Sequence, residues 1–313
     1  MKYVKKFYTT TEFNNFIFNH TNTPNVSLIE GASGTDMFSY KKYIPPHNYA
    51  LDYFTIVAID NIDVCLTYNY FEVNNEGEVQ YSIDNGNTWN DMTTSVSVSA
   101  GNKILLKHNG PICNGSAYTF QFLNNEGGNN EIQGRFNVEG NIMSLIYGDN
   151  FVGKTSFPEN NVHDWGYIFY GLFSWQTNLI NAGNLILPVI EVPYSCYFEM
   201  FGGCTSLITA PELPATILSN ECYSNMFHHC TSLTTAPELP ALILTKDCYY
   251  SMFNGCSSLN YVKCLATDIS AYNCLNGWLE SVNSMGTFIK NPNMTSWPTG
   301  DNGIPSGWIV QDA

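Results

Sequence analysis

The chain has 313 residues, 44% of them hydrophobic and 12% charged, enough apolar material for sizeable cores in two or three domains. Its formal charge of −15, with Arg135 the sole arginine, excludes the phosphate neutralisation that nucleic-acid binding needs and any attraction to an anionic membrane surface. No apolar run reaches 18 residues and the start, MKYVKKFYTTTEFNNF, has no apolar stretch behind its lysines, so neither a membrane span nor a signal peptide is expected.

Residues 1–45 read as an attachment segment. Thr9-x-x-Glu12 is a capping box ahead of Phe13, Phe16 and Ile17, which predicts a two-turn amphipathic helix. Asn25-Val26-Ser27-Leu28-Ile29-Glu30 reads as a strand, and Gly31 to Gly34 as a break. So short a segment cannot bury its own apolar face, so Phe13, Phe16, Ile17, Val26 and Leu28 are expected to pack on the next domain or on another protein.

Residues 46–148 alternate short β-patterns with turns: Tyr53–Ile59, Val64–Val73, Val79–Ile83, Val96–Val98, Lys103–Lys107, Tyr118–Phe122 and Ile132–Val138. Asn85-Gly86 and Ala100-Gly101-Asn102 mark turns, and the spacing suggests an immunoglobulin-like antiparallel sandwich.

Residues 149–285 carry an internal repeat. CYFEMFGGCTSL (Cys196–Leu207), CYSNMFHHCTSL (Cys222–Leu233) and CYYSMFNGCSSL (Cys248–Leu259) follow one another at a step of 26 residues, and APELP recurs at the same step (Ala210–Pro214, Ala236–Pro240). A fixed period of this size predicts a solenoid. Cys222, Tyr223, Met226 and Phe227 fall at i, i+1, i+4 and i+5, the stripe of a short helix, with Ser219 and Thr245 as N-caps and Glu221 and Asp247 in the first turn. A β-segment at Ser232–Ala236 and a turn at Pro-Glu-Leu-Pro complete the unit. Leu172, Phe173 and Leu179 continue the pattern as a degenerate first repeat, and Cys274, Trp278 and Leu279 as a last one. In the C-terminal cap, residues 286–313, Gly286–Lys290 and Gly307–Val310 predict a strand pair covering the final edge. The fold class expected is therefore multidomain α+β, in four parts: attachment segment, sandwich, repeat solenoid and cap.

Six of the ten cysteines (Cys196, Cys222, Cys248; Cys204, Cys230, Cys256) occupy matched repeat positions, which reads as reduced thiols packed in a core. Zinc is the sharper alternative, but the spacing of eight within a unit is unlike that of zinc knuckles. No cofactor, metal or catalytic residue is expected. Gly148-Asp-Asn-Phe-Val-Gly153-Lys154-Thr155 matches the P-loop pattern, yet Pro158 forbids the long helix that loop requires. Ser82-Ile-Asp84-Asn-Gly86-Asn-Thr-Trp89 fits the Asp-box pattern of sialidase blades, whose resemblance implies a hairpin device with Asp84 bonding turn amides over Trp89. His228-His229 stands where neighbouring repeats have Gly202-Gly203 and Asn254-Gly255, which predicts a solvent-facing turn. Ligand contacts are expected from columns stacked at the period outside the apolar consensus: Ile208, Thr234 and Asn260; Thr209, Thr235 and Tyr261; Glu212 and Glu238.

The run M-F-x-x-C-T-S-L-x-x-A-P resembles the BspA-type (treponemal) leucine-rich repeat, over roughly a third of the chain. These units are slightly longer, and Ala210 and Ala236 stand where the family usually has isoleucine. K-K-F-x-T-T-x-E-F followed by P-N-V-S-L-I-E resembles the opening of fibre and tail proteins of crAss-like phages that infect gut Bacteroides, and the tail from Ser258 resembles the cap of the same repeat proteins. The resemblance implies a non-enzymatic head or tail fibre on the virion, joined to other virion proteins by its N-terminus and engaging host surface glycan or protein, as a homo-oligomer. The other reading is a BspA-type adhesin on the bacterial cell surface.

Overall fold

The computed structural model describes residues 2–6, 26–29, 37–41, 48–70, 73–74, 79–109, 118–122, 131–158 and 166–313. The protein is mostly β-strand and turn with very little helix, and it forms two compact units, Met1–Asn48 and Tyr49–Ala313. In the first, Lys2–Lys6 (β1), Val26–Ile29 (β2) and Met37–Lys41 (β3) make an antiparallel sheet in the order β1-β3-β2. Val26 and Leu28 lie on β2, where a strand is expected. The helix expected after Thr9, with Phe13, Phe16 and Ile17, lies outside the described residues.

The second unit begins with ten strands. They are Phe54–Ala58 (β4), Ile62–Val64 (β5), Leu66–Tyr70 (β6), Val73–Asn74 (β7), Val79–Ser82 (β8), Asn90–Asp91 (β9), Val96–Val98 (β10), Lys103–His108 (β11), Tyr118–Phe122 (β12) and Phe136–Asn141 (β13). Strands β13, β4, β11, β8 and β9 lie side by side and antiparallel; β12-β6-β7 and β10-β5 form two smaller antiparallel sheets. Alternation in β13 buries Phe136 and Val138, whereas central β11 is buried from Ile104 to His108. A four-residue helix, Ser144–Tyr147 (α1), follows. The buried Ser144 hydroxyl donates to Leu106 O (2.9 Å) and accepts from Phe54 N (3.0 Å), tying α1 to the sheet. Leu179–Ile186 (β14) then joins β13 in parallel. Residues on either side of the expected boundary at 148/149 therefore share one sheet, and one apolar core runs from Phe54 to Trp308.

Beyond α1, five ten-residue turn segments recur: Gly166–Trp175, Tyr194–Gly203, Asn220–His229, Lys246–Gly255 and Tyr272–Ser281. They replace the expected repeat helices. Positions 2, 6 and 10 of every segment are left-handed, for example Ser195 (φ 48°), Glu199 (54°) and Gly203 (73°), then Glu221 (58°), Asn225 (56°) and His229 (58°). Backbone donors alternate. Cys196, Phe198, Met200, Gly202 and Cys204 donate to the carbonyl three residues back, while Ser195, Tyr197, Glu199, Phe201 and Gly203 donate to Asn220, Cys222, Ser224, Met226 and His228 of the next segment at 2.7–3.2 Å. The same alternation recurs from the third segment to the fourth and from the fourth to the fifth. A stripe at i, i+1, i+4 and i+5 fits a helix of period 3.6 and this turn row of period 4 equally well over ten residues, so sequence cannot separate them. Ser219 and Thr245 accordingly cap no helix; Thr245 Oγ1 donates across the stack to Ser219 O (2.9 Å).

Stacking fills the interior with like on like. Phe173, Phe201, Phe227 and Phe253 form a column with ring centroids 5.1, 5.4 and 5.5 Å apart and planes within 15° of parallel. Tyr197, Tyr223 and Tyr249 form a second column. Cys204, Cys230 and Cys256 thiols donate to Phe173 O, Phe201 O and Phe227 O at 3.0–3.1 Å. The nine described cysteines are buried and free. Burial pushes their thiols up, to about 12 for Cys248, Cys256 and Cys264.

Glu191–Val192 (β15) and Ile217–Leu218 (β16) pair in parallel on another side of the stack, and the expected β-segment at Ser232–Ala236 contributes one bridge, Thr235 to Tyr261. Tyr261–Cys264 (β17), Thr287–Lys290 (β18) and Ile309–Asp312 (β19) close the chain as a parallel sheet. The expected terminal strand pair is present and β18 covers the edge of β17, but β19 becomes an open edge in its turn. Every residue of β19 is exposed, because nothing described stacks beyond it. The last turn segment is closed in part by side chains: Asn302 Oδ1 accepts from Gly277 N (3.1 Å), and Trp278 Nε1 donates to Gly303 O (2.8 Å).

Two outcomes follow. Ser251 is left-handed (φ 48°), so Ser251→Gly is expected to raise stability by about 0.5–1 kcal/mol in denaturant unfolding, whereas in a helix it would lower it. At least nine of the ten cysteines should resist iodoacetamide at pH 8 in the native protein and react after denaturation. Unfolded thiols ionise near pH ~8.5 while the folded ones stay protonated, so this stabilisation is complete below that pH and is lost as pH rises toward the folded values.

Candidate functional site

The columns expected to contact ligand lie at the surface. Ile208, Thr209, Glu212, Thr234, Thr235, Glu238 and Asn260 are exposed and Tyr261 is half-buried. They do not make one continuous ladder. Thr209 bridges back to Asn181 and Thr235 forward to Tyr261, while among the described residues no backbone hydrogen bond joins Ile208–Pro214 to Thr234–Pro240. Pro211, Pro214, Pro237 and Pro240 have no N–H to offer at this seam. One repeat later, Lys263 and Ala266 replace two of the prolines, and Leu239 and Leu265 exchange bonds with Lys263 and Leu239 at 2.9 Å. Glu238 is engaged by Lys263 Nζ at 2.8 Å; Glu212 lines a small pocket of about 180 Å³ with Tyr49 and Pro214.

A larger cleft, about 560 Å³, opens where the first turn segment meets the strands before it. Its walls include Gln121 next to β12's end, Glu131, and Tyr170, Trp175 and Gln176 of the first repeat, with Glu199 from the second. Phe120 N donates to Ile168 O (3.2 Å), so β12 takes the place of a preceding repeat there. Further along the segment, Leu172 O and Ser174 O have no hydrogen-bond partner among the described residues. Glu131 Oε1 accepts from Thr177 N (3.1 Å), Asn178 Nδ2 (3.2 Å) and the Thr177 hydroxyl; Glu199 Oε1 accepts from Ser174 Oγ (3.0 Å). Gln176 Oε1 accepts from Ile132 N (2.8 Å) and holds the wall rigid.

Trp175 is left-handed (φ 59°), uncommon for so bulky a residue. Its ring lies over Gly203, where an added Cβ would sit 2.6 Å from the indole, and it remains 55% exposed. His229 covers Gly255 in the same way, so this column alternates aromatic and glycine. The His228-His229 pair is not simply a solvent-facing turn. His229 is exposed, but His228 is half-buried, 6.4 Å edge-on from Trp175, with Nδ1 buried and unbonded. Desolvation, helped by His229, lowers its pKa against the pull of Glu199.

The other motifs are structural. Asp84 Oδ1 accepts from Ser82 Oγ (2.7 Å) and Thr88 N (2.9 Å), and Oδ2 from Thr88 Oγ1 (2.7 Å). Trp89 packs on Tyr53 (4.7 Å) and under Lys107 Nζ (4.3 Å), whose nearly buried ammonium pairs with Asp149 at 2.7 Å. The P-loop-like stretch begins at a 3-10 turn, no helix follows it through Pro158, and Lys154 lies over the Tyr147 ring. Among the described residues no three His, Cys, Asp or Glu side chains converge for a metal ion, and no helix is long and apolar enough to cross a membrane.

Nothing in the sequence marks the cleft, because it arises from β12 meeting a segment about 50 residues later; the one local signal is a tryptophan where two of the other repeats place glycine. Hydrogen bonds from Thr88, then Ser82, hold the Asp84 carboxyl down at about 2, and those from Arg135 hold Asp60 at about 2. These contributions are complete above the unfolded value of ~3.9 and are lost as pH falls through the folded values. Carboxyl NMR titration should therefore show Asp84 and Asp60 still ionised at pH ~3, where free aspartates are mostly protonated.

No protein-family model, curated protein or solved structure matches the chain.

Proposed function

We propose that the protein is a non-enzymatic display scaffold, a head or tail fibre of a phage particle, in which the repeats form a BspA-type leucine-rich-repeat solenoid. The observation that carries this reading is the division of labour within each repeat. The positions that recur, such as Cys196, Tyr197, Met200, Phe201 and Leu207, are buried, and Tyr197 and Phe201 stack on their counterparts in the neighbouring repeats. Residues that differ between repeats, such as His229 against Gly203, or Asn260 against Thr234, fall mainly where a partner can reach them. A core that repeats under a surface that varies is what a binding scaffold requires. The sheet of β4, β8, β9, β11 and β13, with β12-β6-β7 and β10-β5, serves as an immunoglobulin-like spacer, merged with the stack through β14. Residues 1–45 join the fibre to other virion proteins, with Phe13, Phe16, Ile17, Val26 and Leu28 as its contacts. The head engages host surface glycan or protein, and the assembly is a symmetric homo-oligomer.

Mass spectrometry of purified particles tests the placement. The chain should appear in stoichiometric amount, and a version lacking residues 1–45 should be missing from particles while still folding. Recovery of the full chain from bacterial envelopes, and none from particles, would transfer the reading to a cell-surface adhesin.

A further inference from the structure

We infer that the cleft at the head of the stack is a binding site for a neutral saccharide. The inference rests on the display reading in one respect, that the cleft binds rather than catalyses. The cleft forms at the first turn segment, which no earlier turn segment precedes among the described residues. Everywhere else in the stack the outward carbonyls of a segment receive N–H groups from the previous repeat, as Met200 O does from Phe173 and Gly202 O from Trp175. In the first segment β12 serves Ile168 O, while Leu172 and Ser174, which line the cleft, have carbonyls with no hydrogen-bond partner among the described residues.

The remaining polar groups repeat the same bias. The hydroxyls of Ser174 and Thr177 are already spent as donors on Glu199 and Glu131, each on Oε1, which leaves each Oε2 without a hydrogen-bond partner among the described residues. Among the described lining residues these carbonyl and carboxylate acceptors face only a few exposed donors, the Gln121 amide, the Trp175 indole N–H and the Tyr170 hydroxyl. A ligand that fits must donate several hydrogen bonds spread along the cleft. A polyol does this, whereas a single ammonium group satisfies one locus and strands the others. Trp175 and Tyr170 supply the apolar half. Trp175 is braced on Gly203 and 55% exposed, and Tyr170 is stacked on Phe198 at 5.0 Å and 37% exposed. Such rings receive the C–H face of a pyranose with little loss of side-chain entropy. The left-handed backbone does not call for an indole at position 175, since glycine stands at the equivalent positions 203 and 255. Among the described residues no lysine, arginine or histidine lines the cleft, and the chain carries −15, so sialic and uronic acids are repelled.

The test is saturation-transfer NMR on the full chain with methyl glycosides of glucose, galactose, mannose and N-acetylglucosamine, each at about 10 mM, beside N-acetylneuraminic acid and choline. At least one neutral glycoside should receive transfer, strongest on one ring face, and N-acetylneuraminic acid none. Trp175→Gly should weaken binding about tenfold or more without altering the circular dichroism, because glycine suits the left-handed position. Glu199→Gln, which keeps shape and removes charge, should weaken it severalfold and serves as the deciding variant if Trp175→Gly misfolds. The inference is overturned if no neutral glycoside binds, if both variants bind as the parent does, or if choline is the ligand that they lose. Particle mass spectrometry is independent: a particle-borne chain with an inert cleft keeps the fibre and discards this site.

Discussion

The structure depends on one arrangement of backbone donors. Along each of the first four turn segments every second N–H points to the next repeat, and those between them close turns on their own chain. A segment by itself would be unstable, because three of its ten residues are left-handed, at about 1–2 kcal/mol each for a non-glycine residue. Four bonds at the first interface and five at each of the other three, each worth about 0.5–1.5 kcal/mol net, offset that strain only when a neighbour is present. The stacked Phe and Tyr columns and the buried thiols then add apolar burial to every interface. Repetition is thus the condition for the local conformation, which is why the sequence repeats so strictly where it is buried.

The same dependence makes the ends of the stack special. A row that needs a neighbour must be terminated, and the chain uses a different device at each end. At the front, β12 and the parallel pairing of β14 with β13 graft the stack onto the preceding sheets, leaving no separable boundary there. Among the described residues, β12 bonds only Ile168 O of the first row, and the cleft opens beside Leu172 and Ser174. At the back, Asn302 offers a side-chain carbonyl where a backbone carbonyl would be, and Trp278 and Trp297 stack in continuation of the core, while β19 is left open. Proline imposes a further asymmetry, for where both APELP copies face each other no backbone hydrogen bond among the described residues joins the strand side.

Sequence by itself determined the period, the identity of the core and most of the strands in the first half. Phe201, Cys204 and Leu207 are buried because a position that recurs every 26 residues faces the same neighbour each time. The Asp-box hairpin was equally legible, its hydrogen bonds lying within seven residues of one another. Tertiary structure alone decided that the recurring stripe is a row of turns and not a helix. A left-handed residue at every fourth position, eleven of the fifteen not glycine, has no local signature; it is selected by bonds to residues 25 or more positions away. Tertiary structure also decided the cleft, which is lined by Leu172 and Ser174, whose carbonyls have no donor among the described residues, a property that belongs to the end of a stack and to no residue within it.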